Sequence, residues 1–299
     1  MEGDIPNIAI STGSADTLEC LLRRVGVDAS EYTPGHGGEG RVHIFAGSPR
    51  DGGGGRDNVV PNTSPPAPSS PMALWNSAES LMQYDIVLLS CEGQETSAMN
   101  QQALHDYASA GGRVFASHFH YSWFNTGPYA AENLATWSTG SNDIGDIQGD
   151  IVTTLSNGMP FPKGVALKEW LENVNALQGG RLPIEEARHN ADVSATNMAS
   201  QPWIVASPSS REGAGATQYF SFNTPTDALN QADSMYCGRV VFSDLHVGAA
   251  SGDDPEMPVP TSCGAGALSA QEAALEFMLF DLSSCLIPDD VPPAPPVVE

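Results

Sequence analysis

Along this chain, short apolar runs of the kind that fill a sheet buried on both faces alternate with stretches whose apolar residues recur at helical spacing. The first run is Asn7-Ile-Ala-Ile-Ser. Beyond it Leu18, Leu21, Leu22 and Val25 form a helical stripe that stops at Gly26, and Asp16 and Glu19 have the spacing of a capping box at its start. Residues 27 to 33 suit a second, short edge strand, and Arg41-Val-His-Ile-Phe reads as another strand or one arm of a hairpin. Residues 47 to 71 are dominated by Gly, Pro, Ser and Asp and read as an exposed loop, followed by a short helix over 72 to 81.

The stretch from Tyr84 to His120 is the clearest unit. Ile86 to Leu89 suit a buried strand, a helix follows, Gly111-Gly112 cut it off, and Val114 to Ala116 restart a strand. That strand ends in Ser-His-Phe-His, which places His118 and His120 just past its C-terminal end, the edge where open α/β sheets hold their ligands. Tyr121 to Trp137 is rich in aromatic residues and Gly, as in a loop packed over a cleft. From 147 to 235, strand-like runs (150 to 154, 203 to 206, 218 to 222) and a helix from about 164 to 176 read as a mostly β elaboration inserted in an α/β core. A last strand, Val240 to Ser243, carries Asp244 and His246 at its end. Ser269-Ala-Gln-Glu272 is a second capping box, opening a final helix whose buried stripe is Leu275, Met278, Leu279 and Leu282. Residues 1 to 286 thus read as a single α/β domain, and 287 to 299 as a Pro-rich tail, disordered or a tether.

Charge narrows the partners. The chain has 36 acidic against 12 basic residues, a formal charge of -24, so its surface repels nucleic-acid phosphates and anionic membranes while leaving divalent cations and small polar ligands open. The acidic loop residues Asp253, Asp254 and Glu256 lack EF-hand spacing and read as solvated. No stretch approaches the roughly 20 apolar residues of a transmembrane helix. The five cysteines follow no CxxC spacing, which argues against a zinc ribbon or a thioredoxin motif and makes disulfides plausible. Few Lys, many Gly and Pro and the Pro-rich end suggest an exported bacterial protein, secreted or at the cell surface; Met1-Glu-Gly-Asp lacks signal-peptide character, so the signal is taken as already removed.

Three segments resemble the class I glutamine amidotransferase-like superfamily, and most of all its trehalose-utilisation (ThuA-like) branch. They are Tyr84-Asp-Ile-Val-Leu-Leu; Tyr107-Ala-Ser-Ala-Gly-Gly-Arg-Val-Phe-Ala-Ser-His118, similar to the branch's "GG, strand, His" segment; and Gly238-Arg-Val-Val-Phe-Ser-Asp-Leu-His246, similar to its "GRV, strand, GH" segment. The resemblance implies a flavodoxin-like, amidotransferase-like, mostly parallel sheet with helices on both faces. Where the amidotransferases carry a Cys at the sharp turn this chain has His118, and where they carry His-Pro-Glu it has Asp244-Leu-His246-Val-Gly, so glutamine hydrolysis is not expected. The same topology puts Cys237 and Cys285 at the N-terminal edge of the sheet, within bridging reach, and gathers Cys20, Cys91 and Cys263 at the other, where two can pair and one Cys is left over.

His118 and His246 then stand at the ends of neighbouring strands, with His120 and Asp244 each two residues away. Residues two apart on a strand share a face, so both pairs are expected to point into one cleft. Three imidazoles and a carboxylate suit a divalent metal held by His118, His120 and His246, or acid-base catalysis by His118, His246 and Asp244, or a structural hydrogen-bonded cluster. Cys91, Glu92, His120, Tyr121 and Trp123 are expected to line the ligand side of the cleft. Cys91 is either a nucleophile with His118 as its base or half of a disulfide, and adjacent Glu92, which raises the thiol pKa, favours the disulfide. The turn Ser11-Thr12-Gly13-Ser14 can bind an anion or merely cap the first helix. Two functions follow: hydrolysis or binding of a small polar ligand such as a carbohydrate, with the metal as the one cofactor in view, or a non-catalytic surface module displayed through the tail.

Overall fold

The computed structural model describes residues 5–13, 15–47, 72–96, 99–210, 213–226, 236–247 and 263–293. The apolar runs become central strands because both of their faces are covered. In β1 (Ile8–Ser11), Ile8 and Ile10 pack into one core and Ala9 into another across the sheet. β4 (Ile86–Leu89), β5 (Arg113–Ser117) and β12 (Gly238–Ser243) divide in the same way. One core takes in Leu18, Leu21 and Leu22 of α1 (Leu18–Arg24), Leu167 and Leu171 of α5 (Pro162–Asn173), and Leu275, Met278 and Leu282 of α6 (Ala270–Ser283). The opposite core takes in Leu74 and Trp75 of α2 (Met72–Trp75), Leu81 of α3 (Ala78–Leu81), and Leu104 and Tyr107 of α4 (Gln101–Ser109).

With β2 (Tyr32–Pro34), β3 (Val42–Phe45), β7 (Asp143–Ile151), β8 (Leu182–Arg188), β10 (Ser200–Ala206) and β11 (Thr217–Thr224), these strands form a 10-stranded sheet of order β2-β3-β1-β4-β5-β12-β11-β10-β7-β8, while β6 (Thr136–Trp137) and β9 (Ala191–Asp192) pair antiparallel in a separate two-stranded sheet. The pairs from β2 to β12 are all parallel, and those from β12 onward all antiparallel. This is the expected α/β class, with helices on both faces of a large sheet. The Arg41–Phe45 run is a parallel strand and not a hairpin arm. The segment after residue 147 extends the same sheet, because β11 pairs edge to edge with β12 and leaves no gap between core and elaboration. β8, with the sequence LPIEEAR, has no clear strand pattern because it mixes charged and buried positions.

Several expectations are corrected locally. The helix over 72 to 81 breaks at Asn76-Ser77, where the Ser77 hydroxyl accepts from Ser80 N at 3.2 Å and starts α3 anew. The capping box at α1 does not form: Thr17 occupies the N-cap, and the Asp16 carboxylate is engaged elsewhere. The box at α6 does form, from Ser269 and Glu272. Glu272 also makes a buried ion pair with Arg24 of α1, so it locks two helices on one face of the sheet. At the start of the tail, Asp289 reaches the buried Arg239 at 3.2 Å, beside the Lys163–Asp281 pair at 2.9 Å. The rest of the Gly/Pro-rich loop from residue 48, the Asp253–Glu256 loop and the end of the tail from residue 294 lie outside the described residues.

Cys20 and Cys263 are joined by a disulfide, whereas Cys237 and Cys285 carry exposed thiols and are not bridged. Sharing a sheet edge does not suffice for a bridge, which needs Cα atoms roughly 4.4–6.8 Å apart and converging Cβ vectors. Cys91 is a buried thiol. Alkylation of the unfolded, unreduced protein followed by mass spectrometry should therefore mark Cys91, Cys237 and Cys285, and mark all five cysteines after reduction. Reduction of Cys20–Cys263, which closes a loop of 243 residues, is expected to cost roughly 2–5 kcal/mol of unfolding free energy.

Candidate functional site

Strand register brings the site together. β4 and β5 pair with Leu89 opposite Ala116, so two residues further on Cys91 comes level with His118. β5 and β12 pair with Ser117 opposite Ser243, which puts Asp244, not His246, level with His118. His246 is returned to the site by the turn after β12, in which Leu245 N donates to the Ser243 hydroxyl at 3.3 Å. His118 itself has φ 43, a left-handed backbone rare outside Gly, at the junction of β5 with the 3-10 helix His118–Trp123. That elbow turns its ring across the strand ends.

Three side chains converge there. Cys91 Sγ lies 3.3 Å from His118 Nδ1, and His246 Nε2 lies 3.0 Å from the same nitrogen. One donor atom from each residue falls within 4.8 Å of the other two, and all three residues are buried. His118 Nε2 is 3.2 Å from the Ser141 carbonyl oxygen, so the ring proton belongs on Nε2 and the Nδ1 lone pair faces Cys91 and His246. Burial, then His246 and Arg188, push His118 down to about 2. Burial also lowers His246, opposed by Asp16, and raises the Cys91 thiol, which Asp16 pushes further. The three groups are therefore neutral at pH 7, and no thiolate–imidazolium pair forms in advance.

Asp16 supports this cluster from below. Its Oδ2 accepts from Cys91 N at 3.1 Å and from the Ser117 hydroxyl, and its Oδ1 accepts from Val247 N at 2.8 Å. One buried carboxylate thus ties the ends of β4, β5 and β12. Gly13 lets the β1–α1 connection lie close enough for this, since a Cβ there would stand 2.1 Å from Cys91 O.

The other expected site residues lie apart from the cluster. His120 donates from Nε2 to Ser90 O at 2.8 Å and accepts from Trp123 Nε1 at 2.9 Å on Nδ1, which occupies both ring nitrogens and removes it from the metal set. The strand ends at Ser117, so His118 and His120 follow 3-10 rather than strand periodicity and diverge. Asp244 likewise follows the end of its strand. Its Oδ2 accepts from Asn190 N at 2.6 Å and Ala191 N at 2.9 Å, and burial nonetheless raises the carboxyl to about 8. It anchors the segment after β8 and does not reach His118. Glu92 is buried and accepts from Thr96 Oγ1 at 2.8 Å. The Tyr121 hydroxyl donates to Glu95 and accepts from Gly140 N at 2.7 Å, while Trp123 is buried edge-on against Trp75 at 5.1 Å. A cavity of about 440 Å³ opens at the opposite, N-terminal edge of the sheet, between Tyr84, Asp85, Tyr107 and Arg113, away from the converging groups. Sequence reasoning missed Asp16 as part of the site, because its partners lie 75 to 231 residues away along the chain.

No family model and no curated protein matches the sequence. Among solved structures, a thua-like protein of Parabacteroides merdae ATCC 43184 aligns over 95% of this chain and 93% of its own, at 11% identity and a TM-score of 0.40. The chain is similar to a ThuA-like protein. At this identity and TM-score the likeness assigns no role to any residue.

Two outcomes are expected. Asp16→Ala strands two backbone N–H groups and a hydroxyl in the interior and should lower the unfolding free energy by about 3–5 kcal/mol in urea titrations, with Asp16→Asn, which keeps one acceptor oxygen, losing less. His118 titrates lower in the folded chain than its ordinary value of 6.5, so its contribution is complete above that pH and is lost on acidification toward about 2. In chelator-treated protein that share amounts to about 1.4 kcal/mol per pH unit below pH 6.5, and His118→Gln should remove it from unfolding curves measured across this range.

Proposed function

We propose that this protein is an exported hydrolase acting on a small polar substrate at the C-terminal ends of β4, β5 and β12. The convergence of Cys91, His118 and His246 carries the reading: three groups able to move protons or hold an ion, each just past the end of a different strand, meet at one point where a parallel sheet binds ligands. A carbohydrate-derived substrate is the class that the resemblance of the three sequence segments brings forward. Glutaminase chemistry does not fit, because the elbow presents the His118 imidazole where a thiol nucleophile would be needed. The Cys20–Cys263 disulfide supports an extracytoplasmic setting, since such bonds persist in oxidising compartments. No helix among the described residues is long and apolar enough to cross a membrane.

A non-catalytic binding module is the second reading, favoured by the burial of all three groups, with Cys91 at 0% and His118 at 2% exposure. Assays of the full chain against panels of aryl glycosides, sugar esters and small amides separate the two. Hydrolysis should be found, and His118→Gln and His246→Gln should each lower kcat/KM by about 10²–10⁴-fold with the fold retained by circular dichroism. Sugar binding with no turnover, or turnover indifferent to both substitutions, would transfer the protein to the binding class.

A further inference from the structure

We propose that Cys91, His118 and His246 together hold one divalent transition-metal ion of the zinc class; the inference deepens the hydrolytic reading and rests on the same three side chains. The donor set is one sulfur and two imidazole nitrogens, the soft and borderline ligands that select zinc and its neighbours over calcium or magnesium. In a tetrahedral zinc site, bond lengths of about 2.0–2.1 Å to nitrogen and 2.3 Å to sulfur set ligand separations of about 3.3 Å between nitrogens and about 3.6 Å between nitrogen and sulfur. The observed separations are 3.0 Å for His118 Nδ1 to His246 Nε2 and 3.3 Å for Cys91 Sγ to His118 Nδ1, with the third edge inside 4.8 Å. Shifts of a few tenths of an ångström on the first two edges, and closure of the third, convert the cluster into a coordination face.

The surroundings also suit a metal. The Ser141 carbonyl oxygen accepts a hydrogen bond from His118 Nε2–H and leaves the Nδ1 lone pair free to ligate, the arrangement by which metal-binding histidines are oriented. Asp16 holds the backbone N–H of Cys91 and that of Val247, next to His246, so two of the three ligands are set by one carboxylate. Three protein ligands leave a fourth position for water or substrate, as a catalytic rather than a structural zinc site requires. Binding is balanced in protons: the Cys91 thiol proton passes to solvent as the metal–sulfur bond forms, and each imidazole stays neutral, protonated on the ring nitrogen away from the ion. His120 does not join the set, having both nitrogens hydrogen-bonded.

The test uses the full chain, stripped with a chelator and titrated with Co²⁺ and then Zn²⁺. About one equivalent of Co²⁺ should bind, with a thiolate-to-cobalt charge-transfer band, release of about one proton, and displacement by Zn²⁺. Cys91→Ser should abolish the band and weaken Zn²⁺ binding by more than about 100-fold, beyond what losing an orienting partner costs. The double variant C237S/C285S should keep band and stoichiometry, which identifies the sulfur even if Cys91→Ser does not fold. Folded wild-type protein that takes up no stoichiometric Co²⁺ or Zn²⁺, or a band that survives in Cys91→Ser or vanishes in the double variant, overturns the proposal. Full turnover by stripped protein would remove the metal and leave the hydrolytic reading standing. Stoichiometric metal without turnover of any substrate class would do the reverse.

Discussion

The Asp16 carboxylate is the point on which the ends of three strands depend. Backbone groups at the C-terminal end of a parallel sheet lose their ladder partners as the strands stop, and buried N–H groups left without acceptors are costly. Asp16 answers for Cys91 N and Val247 N together, and adds the Ser117 hydroxyl between them. One side chain from the β1–α1 connection thereby fixes the positions at which β4, β5 and β12 deliver their functional residues. The hydrogen bonds to this buried carboxylate come from two backbone N–H groups and one hydroxyl.

From that knot the site divides residues that look equivalent in sequence. His118 and His120 stand two apart, as do Asp244 and His246, and strand periodicity would pair them on one face. Both strands end too early for this. The left-handed elbow at His118 and the turn at Ser243 direct His118 and His246 toward Cys91. His120 turns to Ser90 and Trp123, and Asp244 to the backbone of Asn190 and Ala191. The member of each pair that leaves the cluster is not idle: His120 satisfies the Ser90 carbonyl and the Trp123 indole, and Asp244 the backbone N–H groups of Asn190 and Ala191.

Cys91 illustrates how local charge and global placement compete. Glu92 beside it in sequence argues for a disulfide, yet the cysteine that bridges Cys20 is Cys263, brought in from 243 residues away. Register places Cys91 against His118, and its thiol is buried and unbridged. That two of Cys20, Cys91 and Cys263 can pair was foreseeable from the order of strands, and Cys20–Cys263 is the pair that forms. Which two would bond was not, because bridging is decided by Cα separations and Cβ directions that no topology specifies.

What this sequence determined alone was the succession of elements and the end of the sheet that carries chemistry. Apolar runs at Ile8, Ile86, Val114 and Val240, each closed by polar residues, suffice to mark central strands, because burial on both faces leaves a local compositional trace. The helix of capping-box Ser269 and Glu272 was equally legible, since its hydrogen bonds span three residues. Tertiary structure decided the rest: the role of Asp16, the exclusion of His120 and Asp244, the inclusion of Cys91, and the extension of the sheet through β8. Each of these depends on where a strand stops and what lies across from it, and partners 27 to 231 residues apart leave no periodic signal in the chain between them.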